Sequence, residues 1–449
     1  MSCDQLSSQK SLTSTGISLY LFLFCLSLWG IHNLSAHISY QGQVLVNLGL
    51  TTILSGCYLY ILTLNKPKVS IQYGAALTII SSICAPIILQ TDPFRYVWDG
   101  LHSFIGINPY LYTPENSPLV SQVKWSDQIN HPYLPTIYPP AAQFFFHLSA
   151  YFNPWTIESV SDVWRLMFGW KLIVGIASSG LFYCYQGRRW DLVLLHPLFL
   201  LTVIGNAHLD ILMITAVGSF LCMKSAFRSL LFKTFWLAIA ILCKWLPLLY
   251  LPAHFMYARR KHNSFKAVGS SFLIILLVLL SSLYFVIDRN VSFFYSLGIY
   301  AQHWIFFPYA HAIFSWIFSL FGFQSFILLG KIACLAFGVF LACILSLRYW
   351  QGRLSLRLYL LLLSVSALGL SPTIHPWYLL ILLPLGVPYF KVLLTPWVWP
   401  ILGLFSQSYY LYDKELLITR WGVYGLVSLC IAVDGKKLHK KLRSRPVSR

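Results

Sequence analysis

The sequence has few acidic residues for its length: 13 Asp and Glu among 449 residues, with charged residues of all kinds making up 10%. No acid lies between Asp4 and Asp92, or between Asp288 and Asp413. A soluble domain keeps a charged surface, so this scarcity argues against a soluble enzyme and against a disordered chain. The ten cysteines include no Cys-x-x-Cys pair, which argues against a zinc or thiol-redox framework.

Apolar residues fill the space that the acids leave. Hydrophobic residues make up 57% of the chain, and the mean hydropathy is +0.68. Apolar runs of about 20 residues, the length that crosses a bilayer, recur along most of the sequence. They predict an all-α, polytopic membrane protein with about 12 or more spans. The predicted spans are 17–35, 43–64, 75–90, 162–186, 190–205, 209–225, 267–287, 325–347, 355–371, 376–391, 393–412 and 418–434.

Three regions follow from this threading. Residues 1–16 are predicted to be a cytoplasmic N-terminus, 17–434 a single transmembrane domain, and 435–449 a basic cytoplasmic tail. Residues 91–161 form the long first extracytoplasmic loop of that domain, which is expected to carry interfacial helices. The 288–310 loop and the turns at 206–210 and 371–376 are predicted to emerge on the same side. Polar residues at a membrane surface usually face a cavity, so these loops predict one shared site.

The net charge of +19 fits membrane orientation better than nucleic-acid binding. With the N-terminus inside, 23 of the 32 Lys and Arg fall on the cytoplasmic side, as the positive-inside rule requires. Basic loops are also attracted to anionic lipid. The predicted partner of this charge is therefore the lipid bilayer, with no nucleic acid.

Residues 232–258 do not thread simply, because basic clusters lie at both ends of this apolar stretch. Lys244 lies at its middle, and Pro247 follows where proline would break a helix. A pair of short helices meeting near the far surface, or a re-entrant hairpin, fits this pattern. The alternative is one ordinary span with basic flanks.

The residues that follow the third span can carry chemistry. Asp92, Arg95, Tyr96 and Asp99 have helical spacing, so a helix would place two carboxylates, a guanidinium and an aromatic ring on one face. Glycosyl transfer from a phosphate-linked donor needs a base for the acceptor hydroxyl and charge stabilisation on the leaving phosphate. The alternative is an interfacial helix in which Arg95 pairs structurally with either acid, while Tyr96 and Trp98 belong to the aromatic belt.

Four further residues are candidates, each with a structural alternative. His208 and Asp210 are too close in sequence to share a helix face, which predicts a turn that either binds substrate or starts a helix capped by Asn206. Lys244, at membrane depth, needs an anion or a route to water. Either a lipid phosphate binds it, or its side chain snorkels to the interface. His375 lies in a proline-bracketed turn, where it could contact phosphate or simply lock the turn.

These motifs resemble multispanning glycosyltransferases of the GT-C superfamily, and most nearly the bacterial polyprenyl-phosphate-mannose-dependent mannosyltransferases (glycosyltransferase 87-like). The matching stretches, in order, are DPFRYVWDG (92–100), GINPYLYTP (106–114), IYPPAAQ (137–143), GNAHLDILM (205–213), KWLPLLYLP (244–252) and SPTIHPWYLLILLP (371–384). They extend over about two-thirds of the chain. Together they are fairly specific for the superfamily and poorly specific for the sugar.

The resemblance implies an inverting hexosyltransferase, mannose being the first expectation, that uses a polyprenyl-phosphate-sugar donor and an extracytoplasmic lipid or glycan acceptor. It implies Asp92 as general base, Asp99 as a second acid, and Arg95, Lys244 and His375 as donor phosphate contacts. The expected substrate contacts are Tyr96, Trp98, Asn108, Tyr110, Tyr138, His208, Asp210, Trp377 and Tyr378. No cofactor is certain; a divalent cation, Mg or Mn, would be held by Asp99, His208 or Asp210. The membrane would be the plasma membrane in a bacterium and the endoplasmic reticulum in a eukaryote.

A transporter or flippase of a lipid-linked sugar is the rival interpretation. It could share the basic and aromatic surfaces without needing a base. Transporters commonly contain paired repeats with broken helices, whereas this sequence has one evident broken segment and no convincing internal repeat.

Overall fold

The computed structural model describes residues 13–35, 37–64, 70–88, 90–152, 163–185, 189–222, 227–262, 264–286, 294–411 and 417–443. Within these ranges the regular structure is helical, and β-type pairing is limited to an isolated bridge between Phe306 and Thr373. The predicted all-α class is confirmed. Most of the predicted N-terminal segment 1–16, the last residues of the tail 435–449 and the end of the loop 91–161 lie outside the described residues.

Eighteen α-helices are found among the described residues. They are α1 Ser14–Leu34, α2 Tyr40–Thr63, α3 Ile71–Cys84, α4 Asp92–Phe104, α5 Pro140–Ala150, α6 Val163–Tyr183, α7 Asp191–Leu194, α8 Asp210–Cys222, α9 Phe227–Cys243, α10 Leu251–Lys261, α11 Ser264–Val286, α12 Tyr295–His303, α13 Ala310–Leu320, α14 Phe326–Trp350, α15 Leu356–Leu370, α16 Leu382–Gly386, α17 Thr395–Leu404 and α18 Leu417–Arg443. Short 3₁₀ helices lie between several of them, and Phe199–Gly205 is a π-helix.

The chain divides into two compact units. The first consists of Met1–Leu248 and Phe272–Tyr300, and the second of Leu249–Ser271 and Ala301–Arg449. The first contains α4, α5 and α8, and the second contains α10, α14 and α15. The prediction that 17–434 acts as one transferase domain stays a prediction, since compact packing does not define a functional domain.

Among the described residues, five helices are long and apolar enough to cross a membrane, and a sixth crossing is counted if a bent pair forms one span. The five are Ser14–Leu34, Tyr40–Thr63, Arg165–Tyr183, Phe326–Trp350 and Leu417–Lys440. The bent pair is Phe199–Gly205 with Asp210–Cys222, at 111°. Shorter apolar helices lie at most other predicted spans. The chain is thus a helical membrane protein, while the number of predicted spans, about 12 or more, stays a prediction.

Local sequence explains where several helices begin. Thr13, Ser39, Ser70 and Ser355 are the N-caps of α1, α2, α3 and α15. In each case the hydroxyl accepts a hydrogen bond from the backbone N–H three residues later. Such a cap satisfies a backbone donor that the first helical turn leaves without a partner, and is worth about 1 kcal/mol.

Three predicted segments differ from the structure. The span predicted at 190–205 is interrupted between α7 and the π-helix, where Pro197 lacks the N–H that a continuous helix needs. The span predicted at 376–391 is a succession of 3₁₀ and short α segments around Pro384 and Pro388. The predicted 288–310 loop contains α12, a helix that the sequence pattern did not indicate; residues 287–293 lie outside the described residues.

The segment 232–258 is broken, as its proline predicts. Helix α9 ends at Cys243, a 3₁₀ helix covers Leu246–Tyr250, and α10 begins at Leu251. This confirms two helices with a break and excludes one continuous helical span. The break leaves Lys244 at the end of α9, where its side chain can turn toward α8.

Small residues allow close packing of α3 against α6 and of α4 against α5. A Cβ added at Gly175 on α6 would lie 3.0 Å from the Cα of Ile79 on α3. A Cβ at Gly100 on α4 would lie 2.3 Å from the carbonyl oxygen of Phe146 on α5. Small residues let helix backbones approach in membrane proteins. The two glycines therefore fix α3 against α6 and α4 against α5.

Candidate active site

Helix α4 begins at Asp92, so this carboxylate lies in the first helical turn. Unpaired backbone N–H groups and the helix dipole favour a negative charge at that end. Pro93 suits the first turn, because a proline costs no helical hydrogen bond there. The predicted helix is confirmed, and Asp92, Arg95, Tyr96 and Asp99 all lie on it.

Arg95 and Asp99 form a buried ion pair, with 3.0 Å between Arg95 Nε and Asp99 Oδ1. Arg95 also donates to the carbonyl oxygens of Leu134, at 2.9 Å, and His131, at 3.4 Å. Gln143 Nε2 donates to the other Asp99 oxygen at 3.2 Å. All three Arg95 nitrogens thus donate within the protein. This geometry favours the structural pairing for both residues over roles in phosphate contact and catalysis.

Asp92 has a different environment from Asp99. Its side chain is 18% exposed, and its Oδ2 lies 3.1 Å from His208 Nε2. The amide of Asn130 donates to Asp92 Oδ1. Both carboxylate oxygens are thereby held by groups from distant parts of the chain, while the carboxylate keeps access to solvent. Asn130 was not expected from the sequence, because nothing in an irregular loop marks such a contact.

His208 lies between two carboxylates. Its Nε2 faces Asp92, and its Nδ1 lies 2.8 Å from Asp210 Oδ2. Lys244 Nζ donates to both oxygens of Asp210, at 2.7 and 2.6 Å. The imidazole thus lies between two carboxylates, and one of these is also paired with an ammonium group. We refer to Asp92, His208, Asp210 and Lys244 as the acid–histidine row.

The exposure of the row falls from its ends to its middle. The side chains of Asp92 and Lys244 are 18% and 22% exposed, whereas those of His208 and Asp210 are 2% and 0% exposed. Buried charged groups are stable when they are paired and hydrogen-bonded. The pairing of Lys244 with Asp210 supplies the anion that a deep lysine needs, and the sequence did not indicate which acid would do so.

The turn that carries His208 is held from three sides. Ala207 has a positive φ of 49°, and its carbonyl accepts a hydrogen bond of 2.7 Å from the indole of Trp170. Lys171 Nζ donates to Gly205 O at 2.9 Å, and Asn206 Oδ1 accepts from the backbone N–H of Ile88 at 2.9 Å. The predicted turn is confirmed. Asn206 ties it to the entry of α4 through these contacts.

Tyr96 orients the histidine from the side. Its hydroxyl lies 3.2 Å from His208 Nε2, and its ring stacks on Phe146 with centroids 5.0 Å apart. Burial raises the pKa of the Tyr96 hydroxyl well above its usual range, so the phenol stays protonated. Because the residue is 0% exposed, this position favours support of His208 over sugar contact.

The other expected substrate contacts in this unit serve the packing of the loop. Trp98 is buried, edge-on to His102 and Trp125. Tyr110 N donates to Asn108 Oδ1 at 3.0 Å, and the Tyr110 hydroxyl donates to the Tyr138 carbonyl at 2.5 Å. These bonds shape the loop between α4 and α5. Their roles as substrate contacts stay predictions.

His375, Trp377 and Tyr378 belong to the second unit and are described there by themselves. The His375 ring stacks between Phe306 and Trp377, with centroids 4.6 Å from each. Tyr378 lies edge-on at 5.4 Å. The Phe306–Thr373 bridge fixes the backbone beside this stack. The histidine ring is thus held firmly among aromatic rings, and its contact with a donor phosphate stays a prediction.

The described residues contain no group of three or more His, Cys, Asp or Glu side chains arranged to hold a metal ion. Among the candidate ligands, Asp99 is paired with Arg95, and Asp210 is paired with Lys244. Mg²⁺ prefers several oxygen ligands, but cationic side chains already contact these oxygens. The donor set does not fit a divalent cation of this kind.

A scan against protein-family models, a search of curated proteins and a search of solved structures found no match to this chain.

Proposed function

We propose that this protein is an integral-membrane glycosyltransferase with Asp92 as its general base. It transfers a hexose, with mannose as the first candidate, from a polyprenyl-phosphate-sugar to a lipid or glycan acceptor on the extracytoplasmic side. The observation that carries the proposal is a partly exposed carboxylate held by His208 and Asn130 at the start of α4. The sequence resemblance described above supplies the reaction class.

In the proposed reaction, Asp92 is the base that takes the proton of the acceptor hydroxyl. The acceptor hydroxyl oxygen attacks the anomeric carbon while its proton passes to Asp92. The bond between that carbon and the phosphate oxygen breaks, and its electron pair leaves with the phosphate. Attack from the face opposite the phosphate inverts the anomeric centre. An oxocarbenium-like transition state, as in glycoside chemistry, joins these events.

His208 keeps Asp92 ready to act as a base. The imidazole Nε2 lies 3.1 Å from the carboxylate and fixes its orientation, and Asp210 orients the ring from its other side. Lys244 balances Asp210. In this proposal Lys244 acts first through Asp210, and its contact with the leaving phosphate remains part of the proposal. No step is assigned to a metal ion.

The test is a transfer assay with purified protein in detergent, where no membrane barrier exists. Polyprenyl-phosphate-[¹⁴C]mannose is supplied with a glycolipid extract, and both glycosylated product and free mannose from slow transfer to water are measured. The wild type is expected to turn over the donor. Asp92→Asn is expected to lose about 10²- to 10⁴-fold in rate, the usual contribution of a general base, with unchanged donor binding.

The matched control is Asp127→Asn. Asp127 is an exposed acid in the same loop region, beside Gln128, and its loss should leave turnover intact. Equal turnover by Asp92→Asn and wild type would remove Asp92 from the mechanism. Movement of intact donor across vesicles, without any product in detergent, would instead support the transporter or flippase.

A further inference from the structure

The second unit carries a basic and aromatic patch that the proposed reaction does not use. Arg259, Arg260 and Lys261 form the last turn of α10. Arg348 and Trp350 end α14, and Arg353 follows in the turn before α15. These six side chains define the α10–α14 patch, and all six residues are exposed.

Specific contacts join the two halves of the patch. Arg260 donates to the Tyr349 carbonyl at 3.0 Å and lies over the Tyr349 ring at 5.4 Å. The Arg259 guanidinium lies over the Trp350 ring, also at 5.4 Å. A Cβ added at Gly352 would lie 3.3 Å from a terminal nitrogen of Arg260. The guanidinium groups are therefore held in place by aromatic rings and backbone.

The base of the patch is rigid as well. Tyr349 is buried and stacks on Tyr359 of α15, with centroids 5.0 Å apart and the ring planes 10° from parallel. Cation–π contact and stacking limit the conformations that the arginines must lose when a ligand binds. A preorganised pair of guanidinium groups suits a phosphate, which accepts bidentate hydrogen bonds.

Among the residues described in this unit, no acid forms an ion pair with the patch. Asp434 is the one acid among them. Its carboxylate accepts hydrogen bonds from the backbone N–H groups of Leu394 and Thr395, at the start of α17. The described part of this unit thus places cations at the patch, while its acid caps another helix.

The position of the patch follows from α14. Phe326–Trp350 is a 25-residue candidate span whose charged side chains are Lys331, near its start, and Arg348, near its end. At 1.5 Å per residue, such a helix is slightly longer than the hydrocarbon core of a bilayer. Its last residues, Arg348 to Trp350, therefore lie at headgroup level, where Trp, Tyr and Arg are enriched.

We infer that the α10–α14 patch is a binding site for the phosphodiester headgroup of an anionic phospholipid. The occupant is a lipid of the surrounding bilayer, because the patch lies at the end of a candidate membrane span and carries cations that pair with no described acid. The patch shares no residue with the acid–histidine row, so the inference stands even if the proposed transfer reaction fails.

The test is native mass spectrometry of the detergent-purified protein titrated with phosphatidylglycerol, with phosphatidylcholine as the zwitterionic comparison. We expect the first phosphatidylglycerol to bind more tightly than phosphatidylcholine. The double substitution Arg259→Gln with Arg353→Gln should weaken that binding by roughly fivefold for each charge removed. Inorganic phosphate at millimolar concentration should not displace the lipid.

The control is Lys436→Gln with Lys437→Gln, which removes two exposed charges from α18. This variant should bind phosphatidylglycerol as the wild type does. Both double variants should unfold at the wild-type temperature without lipid, since the substituted residues are exposed. Equal binding of both lipids, an equal loss in the two double variants, or displacement by inorganic phosphate would each overturn the inference.

Discussion

Asp92 and Asp99 are two carboxylates on one helix, and their surroundings differ completely. Asp99 is 1% exposed and pairs with Arg95 on the same helix. Asp92 is 18% exposed and faces His208 from a turn more than a hundred residues away. The helical spacing of the two acids along α4 does not distinguish their roles. Their neighbours distinguish a buried ion pair at Asp99 from a partly exposed carboxylate at Asp92, for which the role of general base is proposed.

Substitution of Asp99 should give the largest loss of folding stability, whereas Asp92→Asn should mainly reduce turnover. Asp99→Asn leaves Arg95 buried without a carboxylate, which typically destabilises by about 3–5 kcal/mol. Thermal unfolding in detergent would measure it. The double variant Arg95→Met with Asp99→Leu should recover much of the stability, since apolar pairs often replace buried ion pairs well. If Asp99→Asn were as stable as the wild type but had lost turnover, Asp99 would have a catalytic role instead.

His208→Gln tests the Asp92 half of this comparison, because Asp92 contacts His208. It removes a hydrogen bond to a charged group, which is worth about 1.5–3 kcal/mol, so transfer should fall roughly 10- to 100-fold. Because the histidine orients the base, the pH dependence of the rate should also change, whereas a purely structural loss would leave its shape intact. His147→Gln, at a half-buried histidine of α5, is the matched control and should keep both rate and pH profile.

Asn130→Ala should give a loss of about tenfold, at the lower end of the range expected for His208→Gln, because a neutral amide that donates to the charged Asp92 contributes about 1.5 kcal/mol. Asn130→Gln keeps the amide with a longer side chain and should recover part of the rate. Turnover at constant donor concentration would measure both. An unchanged rate in Asn130→Ala would show that His208 alone holds the carboxylate.

The smallest expected effect is a change in folding stability at acid pH on substitution of His102. This residue lies on α4, three positions after Asp99. Burial lowers the pKa of His102, whose Nε2 lies 2.6 Å from the Ser117 hydroxyl. The unfolded chain then binds a proton from about pH 6.5 downward while the folded chain does not. Stability should therefore fall as the pH drops below that value. His102→Gln should reduce this dependence slightly, and an unchanged slope would contradict it.

Local features of the site could be predicted from the sequence, and long-range ones could not. The spacing of Asp92 to Asp99 predicts the helix, the pair His208–Asp210 predicts the turn, and Pro247 predicts the break after Lys244. These depend on neighbours within one or two helical turns. The pairs Asn130–Asp92 and Lys244–Asp210 join residues 38 and 34 positions apart. Such pairs depend on how distant segments pack together. The periodicity of the side chains along one helix does not identify the partner on another segment.

The same limit applies to the membrane topology. Hydropathy finds the apolar segments, but prolines divide several of them into 3₁₀, π and short α pieces. A hydropathy window averages over those breaks. The π-helix Phe199–Gly205 ends at the turn of His208, so the irregular backbone that hydropathy overlooks is where the candidate site is built.

The close approach of α5 to Gly100 has a consequence for tracing this protein's history. A side chain of any size at position 100 would collide with the Phe146 backbone and push apart the two helices behind Asp92. A distant homologue that retains this packing of α4 against α5 is therefore expected to keep glycine there, even where its apolar residues have diverged. That position offers a marker for recognising such homologues when overall similarity has faded.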